Sequence, residues 1–225
     1  MFTFDESVGN AYPGMKMGFL VMRGVALDAA DAQGSQEEAE IIGALQQKFD
    51  GMDKQALKAV YPLHIYVAHC KKFGYTYPVL SQLESVLGGK RTLQARSGLL
   101  RAMFLSELNS MLLTAGHDLA QLQLPLCLKV AAGVESYQSI ADKEVTAVRG
   151  DVLLCDAKGV LSSILRGPDY QSRITPATTD VLFSVYAPPG IDAAYVREDL
   201  KQLERWIVEL SPSSATELLT VFVQD

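Results

Sequence analysis

The stretch LPLCLKVAA, Leu124–Ala132, marks the point at which the pattern of the chain changes. Leucines and a valine occupy every second position, and Pro125, Cys127 and Lys129 lie between them. Because successive side chains of a strand point to opposite faces, this alternation predicts a strand with one face in a core. The proline indicates a sheet edge or the start of the strand. The residues before this stretch have mainly helical patterns, and those after it have mainly strand patterns.

The first half is predicted to be helical after one buried strand at Met17–Leu27. Ser35 and Glu38 form a capping-box pattern at the start of the first long helix. Asp53 is the expected cap of a short second helix, and two further helices follow, each bounded by proline and glycine. The most apolar helix is expected at 98–115, where apolar residues occur on nearly every side, so it should be the most buried.

Strands and one long helix dominate the second half. VLLCDAKGVLSSIL, residues 152–165, predicts a hairpin that turns at Asp156–Gly159. Two more strands are expected at 180–188 and 216–224, separated by an amphipathic helix over Asp192–Leu210. Helices in the first half and strands in the second predict an α+β fold with a mixed or antiparallel sheet. Since no linker or repeat divides the sequence, residues 1–225 are expected to form a single domain.

The composition is that of a globular protein without a strong positive charge. Apolar residues make up 48% of the 225 residues, and the formal net charge is −6. This balance argues against strong non-specific binding of nucleic acid, although it allows a local basic patch. Cys70, Cys127 and Cys155 lack metal-site spacing and predict buried thiols in a reducing compartment. No signal-peptide pattern or membrane-spanning segment is recognised, so we expect a cytoplasmic protein without membrane contact.

Motifs for metal, nucleotide and nucleophile chemistry are absent from the sequence. His64 and His69 are five residues apart on a predicted helix and therefore point to different faces. His117 and Asp118 are adjacent, but neighbouring side chains diverge, and the chain has only three histidines. The sequence contains no GxxxxGKS/T, GxGxxG or GxSxG. We therefore predict neither a metal ion nor another cofactor.

The segment TAGHDLAQL, residues 114–122, is interpreted as a structural corner. Gly116 is expected to turn the chain out of the most apolar helix. Asp118 is expected to cap the following turn by accepting from backbone N–H groups, with Gln121 reaching back.

Three polar clusters remain as candidate binding groups. Glu135 follows a strand and either binds a ligand amine or lies exposed. The segment RGPDYQSRITPATT, Arg166–Thr179, is a loop rich in polar residues, and such loops either bind ligands or are simply solvated. Glu107 and Asn109 lie on the most apolar helix, and we expect the protein itself to supply their hydrogen-bond partners.

Segments along nearly the whole chain resemble the B3/B4 domain family, a module found in the β subunit of bacterial phenylalanyl-tRNA synthetase and in many small stand-alone proteins. The resemblance is carried by YPGMKMGFLVMRGV, HIYVAHCKKFGYTYPVLSQLESVLGGK, GHDLAQL, AAGVESYQSI and GDVLLCDAKGVLSSILRGPDYQSRITPATTDVLF. The order and spacing of these segments together carry the family resemblance, which implies a single B3/B4-like domain.

In the synthetase this module hydrolyses the ester that joins a wrong amino acid to tRNA, without a metal ion. The resemblance therefore implies a tRNA-binding protein that binds an aminoacyl-tRNA end or an amino-acid-like ligand. It also implies a possible activity as a metal-independent deacylase that edits mischarged aminoacyl-tRNA in trans. In this interpretation Glu135 binds the ligand amine or a water, and Arg166 and Arg173 bind a carboxylate or phosphate. Thr175 and Thr178 position the loop.

The chain also departs from the family pattern. Arg101 and Phe104 lie near the places of a family Asp and Asn, and Ala115 lies at the place of the synthetase's pocket histidine. His117 is therefore expected at the rim of the pocket, without that histidine's role.

The alternative is a small-ligand-binding protein that kept the fold but neither binds RNA nor catalyses a reaction. The net charge of −6 and the missing Asp and Asn favour it. A third hypothesis is a partner surface on the helix Asp192–Leu210. The sequence defines neither the ligand nor the oligomeric state.

Overall fold

The computed structural model describes residues 2–26, 36–89 and 97–224. Within these residues the helices are α1 (Glu6–Ala11), α2 (Gln36–Lys48), α3 (Lys54–Lys58), α4 (Leu63–Lys72), α5 (Pro78–Leu87), α6 (Gly98–Ser110) and α7 (Ala193–Leu210). The strands there are β1 (Phe2–Phe4), β2 (Lys16–Arg23), β3 (Leu113–Asp118), β4 (Leu126–Val130), β5 (Ser136–Gln138), β6 (Glu144–Thr146), β7 (Val152–Cys155), β8 (Val160–Ser163), β9 (Gly167–Pro168), β10 (Val181–Ala187) and β11 (Ala215–Val223). None of the helices in the described ranges is both long and apolar enough to cross a membrane.

Small polar residues begin several of these helices, as the sequence predicts. Asp53 accepts hydrogen bonds from the N–H groups of Gln55 and Ala56, so it caps α3. Asp192 caps α7 in the same way through the Ala194 N–H. Ser35, the predicted cap of α2, lies outside the described residues.

The strands form two main sheets and one short pair. The four-stranded sheet has the order β11-β2-β10-β3 and is antiparallel throughout. The five-stranded sheet has the order β1-β4-β7-β8-β9, and β1 is its parallel member. Strands β5 and β6 pair separately. With most helices before residue 111 and most strands after it, the fold is α+β, which confirms the predicted class.

Helices α2 to α7, the four-stranded sheet and the five-stranded sheet form three layers, because the central strands β2 and β10 of the four-stranded sheet are buried on both faces. One face of this sheet packs against the helices, through residues such as Leu20, Phe183, Leu83, Leu108 and Leu203. The other face packs against the five-stranded sheet through Phe19, Leu182, Leu128, Leu154 and Leu161. Because both faces are covered, β10 is buried along its whole length.

The predicted helix at 98–115 is too long, because the chain changes direction at Met111. That residue adopts the left-handed conformation, with φ of 61°, and its N–H donates to the carbonyl of Glu107 as the C-cap of α6. The residues from Leu113 onward pair with β10 as a strand. A short apolar run fits a buried strand as well as a buried helix, so its periodicity does not distinguish the two.

Gly116 lies in the middle of β3 and does not end a helix, so that expectation is also wrong. A Cβ at this position would lie 2.6 Å from Ile174 Cδ1 and 3.2 Å from Phe183 Cε1. The glycine therefore allows the close approach of neighbouring side chains to the backbone of β3.

Candidate functional site

A polar cavity of about 180 Å³ opens where the β7–β8 turn, the β5–β6 pair and the loop after β9 meet. Its polar lining includes Gln121, Gln138, Lys158, Gln171, Asp169 and Ser172. The last three belong to the segment 166–179 that the sequence indicates as a candidate binding loop. A few polar groups that converge on a concave surface are one feature of a ligand site.

Asp156 fixes the wall of this cavity that is formed by the β7–β8 turn. Its Oδ1 accepts from the N–H groups of Lys158 and Gly159, at 2.7 Å and 3.0 Å. Its Oδ2 accepts from Gln123 N–H at 2.8 Å, which ties the turn to the chain before β4. Lys158 Nζ donates to the carbonyl of Gln121 at 2.7 Å. The hairpin turn predicted at 156–159 is therefore held by one carboxylate.

Asp169 fixes the opposite wall. Its Oδ2 accepts from the N–H groups of Gln171 and Ser172, both at 3.0 Å, and its Oδ1 accepts from the Ser172 hydroxyl. Burial raises the pKa of the Asp169 carboxyl, and its hydrogen bonds with Ser172 and Gln171 oppose that rise. A carboxylate offers about four acceptor positions and Asp169 uses three, so one acceptor position remains on this cavity-lining residue.

His117 lies behind Ser172 and is fully buried. Its Nδ1 is 2.7 Å from Ser172 Oγ, and its Nε2 is 3.4 Å from Ser162 Oγ. Because the Ser172 hydroxyl already donates to Asp169, the hydrogen shared with His117 belongs to Nδ1. The ring is neutral, since burial lowers the pKa of His117 to about 4. Its Nε2 is then an acceptor, and Ser162 donates to it.

Ser162 on β8 belongs to the five-stranded sheet, and Tyr186 on β10 continues the connection from it. Its Oη is 2.6 Å from Ser162 Oγ and accepts from Leu154 N–H at 3.3 Å. Because the Ser162 hydroxyl donates to His117, the Tyr186 hydroxyl must donate to Ser162. We call the series Leu154 N–H, Tyr186, Ser162, His117, Ser172 and Asp169 the His117 chain. All its donors point toward the Asp169 carboxylate, and hydrogen bonds aligned in this way reinforce one another.

The expectation that His117 lies at a pocket rim is wrong. In the register of β3, His117 is opposite Leu182, on the face that packs against the five-stranded sheet. Alternation along the strand therefore buries the imidazole between the two sheets. The neighbouring Asp118 accepts from Ala120 N–H at 3.0 Å, and this confirms its predicted role as a cap.

Glu135 is engaged by its own loop. Its carboxylate accepts from the N–H groups of Ala132, Gly133 and Val134 at 3.1–3.2 Å, and Lys129 Nζ is 3.4 Å away. Burial alone would raise the pKa of Glu135, but the backbone donors and Lys129 lower it to about 2. The carboxylate is thus ionised and is not among the residues that line the cavity.

Arg166 and Arg173, which were predicted to bind a ligand, each lie against a tyrosine ring of the protein. The Arg173 guanidinium lies 3.6 Å from the centre of the Tyr170 ring, and Nη1 donates to the carbonyl of Tyr170 at 2.6 Å. The Arg166 guanidinium lies 5.4 Å from the centre of the Tyr75 ring. Neither arginine lines the cavity.

Thr178 and Thr175 hold the loop against Asp118. The Thr178 hydroxyl donates to Asp118 Oδ2 at 2.8 Å and accepts from Thr175 N–H at 2.9 Å. The two threonines therefore contact the loop itself and not the cavity. In the described part of the chain, no three His, Cys, Asp or Glu side chains are grouped closely enough to hold a metal ion.

Asp169, Ser172, Ser162 and Tyr186 were not among the predicted site residues. The spacing Asp-x-x-Ser in DYQS, residues 169–172, could have indicated the turn that Asp169 holds, because an aspartate commonly accepts from the backbone N–H groups two and three residues later. No signal in the sequence connects Ser162 and Tyr186 to His117, since these residues meet only when the two sheets pack.

Comparison with solved structures finds remote similarities of fold, and one of them is described here. The fold is similar to an N-terminal fragment of the phenylalanyl-tRNA synthetase β-subunit from Pyrococcus horikoshii, with a TM-score of 0.49 and 14% sequence identity. The similarity covers 98% of this chain, and the chain spans 50% of that fragment. No family model and no curated protein matches the chain. A remote similarity of fold does not assign a function, so the function rests on the residues of the site.

Proposed function

We propose that the polar cavity binds the aminoacylated 3′ end of a tRNA, with the amino-acid part inside. The observation that carries the proposal is the polar surface formed by Asp169 and Ser172, backed by the buried His117 chain. The resemblance of the sequence to the B3/B4 family supports the same ligand class. A charged tRNA would be met in the cytoplasm, the location that the sequence favours.

The size of the cavity favours an amino-acid-sized group. A volume of about 180 Å³ is below the range of roughly 300–1,000 Å³ that is typical of sites for larger ligands. The remaining acceptor position of Asp169 suits an ammonium group, and Lys158 at the rim suits a phosphate of the tRNA end. The bulk of the tRNA would stay outside.

Hydrolysis of the ester in trans is the enzymatic form of this proposal. An ester of the 3′ ribose is already activated, so orientation beside a bound water and donors to the developing oxyanion would supply the main rate effects.

The test compares Asp169→Asn with Asp142→Asn, an exposed aspartate of a turn that does not line the cavity. Binding of total aminoacyl-tRNA and of deacylated tRNA is measured by fluorescence anisotropy at low and moderate salt, and release of amino acid is followed in the same samples. We expect charged tRNA to bind at least about tenfold more tightly than deacylated tRNA, a difference of about 1.4 kcal/mol. Asp169→Asn should abolish this preference, and Asp142→Asn should retain it.

Equal affinity for charged and deacylated tRNA, or no binding that depends on salt, would contradict the proposal. Amino acid released no faster with the protein than with Asp169→Asn would contradict its enzymatic form.

A second candidate is a protein that binds a free amino-acid-like ligand without RNA. It is favoured by the net charge of −6 and by the two loop arginines, Arg166 and Arg173, which contact tyrosine rings of the protein itself. Calorimetric titration with a panel of free amino acids separates the candidates, because this function requires binding that is lost in Asp169→Asn and no affinity for tRNA.

A further inference from the structure

Two of the three cysteines lie directly opposite each other in the five-stranded sheet. Strands β4 and β7 pair in an antiparallel register that matches Cys127 with Cys155. Directly opposed residues of neighbouring strands project from the same face of the sheet. Here this is the face toward the β5–β6 pair, where Cys155 packs with Tyr137 and Val160. Both thiols are free.

The pattern of backbone hydrogen bonds gives the approximate spacing of the two cysteines. Four positions further along the same register, Ala131 N–H donates to the carbonyl of Asp151 at 2.8 Å. Along an antiparallel ladder, hydrogen-bonded pairs alternate with non-hydrogen-bonded pairs, so positions an even number of residues apart are of the same kind. Cys127 and Cys155 therefore also occupy a hydrogen-bonded pair, for which the Cα atoms are about 5.5 Å apart. This Cα separation lies within the range of about 4.4–6.8 Å found for disulfides. The Cβ atoms of such a pair are about 5 Å apart, so the two strands must approach locally by about 1 Å to form the bond.

The two thiols differ in exposure. Cys127 is partly exposed, whereas Cys155 is buried. Burial raises the pKa of the Cys155 thiol to about 11, with Lys129 opposing the rise and Cys127, Glu135 and Asp156 adding to it. Cys127 is therefore the thiol that a dissolved oxidant would meet first, and Cys155 is placed to react with it afterwards.

Cys70 provides an internal comparison. It lies on α4 in the core between the helices and the four-stranded sheet, whereas the other two cysteines are on the five-stranded sheet. It is buried, and burial raises the pKa of its thiol to about 11. A disulfide to Cys70 would require the layers of the fold to separate.

We propose that Cys127 and Cys155 are a modification site, a cross-strand dithiol that a peroxide oxidises to a disulfide in the folded protein. The Cys127 thiolate attacks one peroxide oxygen, the O–O bond breaks, and a sulfenic acid and hydroxide form; the hydroxide takes a proton and becomes water. The sulfur of Cys155 then attacks the sulfur of Cys127, the S–O bond breaks, and the Cys155 proton leaves with the hydroxyl group as a second water. Two thiols are oxidised by two electrons in total, and the peroxide is reduced to two waters.

The place of this dithiol connects it with the polar cavity. Cys155 directly precedes Asp156, whose carboxylate fixes the β7–β8 turn and the chain at Gln123. The disulfide would therefore join the two strands beside the cavity wall. The oxidation itself does not depend on which ligand the cavity binds, so the result is independent of the proposed tRNA function.

The experiment treats the folded full chain with hydrogen peroxide, removes the excess with catalase, and alkylates the remaining thiols in denaturant. We expect intact mass spectrometry to show the loss of two hydrogens and the alkylation of one cysteine in place of the three of the reduced protein. Peptide mapping should find Cys127 joined to Cys155, and dithiothreitol should restore all the thiols. Cys70→Ser should retain the mass loss, whereas Cys127→Ser and Cys155→Ala should each remove it.

Circular dichroism checks that each variant is folded, and reduced glutathione in the same reaction shows that the oxidant is active. The proposal is overturned if glutathione is oxidised while the folded protein keeps three free thiols. It is also overturned if the mapped disulfide includes Cys70.

Discussion

Two of the buried polar clusters in the described part of the protein differ in how their protons are arranged. The His117 chain crosses from the four-stranded sheet to the five-stranded sheet and reaches a cavity. The other, which we call the helix cluster, lies between α6 and α7, where the Ser106 hydroxyl donates to Asp199 and Thr114 N–H donates to Glu107. The buried Glu107 therefore has a hydrogen-bond partner within the protein, as we predict from the sequence, whereas Asn109 is exposed.

The comparison shows how burial acts on neutral and on acidic groups. The members of the His117 chain other than Asp169 are uncharged, and each has a defined partner, so its single carboxyl lies at the end that lines the cavity. The helix cluster contains two carboxyls, and burial raises the pKa of Glu107 to about 8 and that of Asp199 to about 6. We therefore expect the helix cluster to make stability fall as the pH rises toward 8, whereas the His117 chain should make it fall only as the pH drops below about 6.5, where the unfolded chain takes up a proton on His117.

The largest effect should come from His117→Ala. The substitution leaves a cavity between the sheets and removes the partner of the Ser162 and Ser172 hydroxyls, so we expect a loss of about 3 kcal/mol in the free energy of unfolding. Urea denaturation followed by circular dichroism measures it. The control is His64→Ala, an exposed histidine of α4, which should change stability by less than about 0.5 kcal/mol. Similar losses for the two variants would mean that the His117 chain does not stabilise the packing of the sheets.

A smaller effect is expected for Glu107→Gln, and it should depend on pH. The pKa of Glu107 is about 8 in the folded protein and is 4.5 as an ordinary value, so the folded state holds the proton more tightly. This contribution to stability is complete below the ordinary pKa and is lost as the pH rises through about 8. Glutamine resembles the protonated side chain, so the variant should lose on the order of 2 kcal/mol less than the original protein between about pH 6 and pH 8.

Urea denaturation at a series of pH values measures this difference. Glu209→Gln, an exposed position on α7, is the matched control and should retain the original dependence. An unchanged slope in Glu107→Gln would assign the pH dependence to other groups.

The sequence predicts elements well where a local rule defines them. Three such elements depend only on residues that are neighbours in the chain: the alternation at Leu126–Val130, the turn at Asp156–Gly159 and the cap at Asp53. The rules for alternation, turns and caps therefore apply before any tertiary contact is known. The same rules place Asp118 at a turn.

The candidate site is harder to predict, because its partners are far apart in sequence. His117 and Ser172 are 55 residues apart, and Ser162 and Tyr186 are 24 residues apart. Only the register of β3 on β10 and the packing of the two sheets bring these side chains together. The interpretation of Gly116 as a turn out of the most apolar helix depended on a helix to residue 115 that in fact ends at Ser110. Glu135 is an acidic residue that follows a strand, as a ligand-binding residue often does, but its own loop supplies three N–H groups to the carboxylate.

The smallest effect, about 1 kcal/mol, should come from Ser162→Ala, which interrupts the His117 chain at its middle. The variant removes the acceptor of the Tyr186 hydroxyl and the donor to His117 Nε2, but it leaves the shorter contact between His117 Nδ1 and Ser172. Urea denaturation measures the loss, and Ser81→Ala, an exposed serine of α5, is the control. Nitrogen NMR of the imidazole should still show the hydrogen on Nδ1, because Asp169 continues to orient the Ser172 hydroxyl. A hydrogen found on Nε2 would mean that Ser162, and not Asp169, determines the direction of the chain.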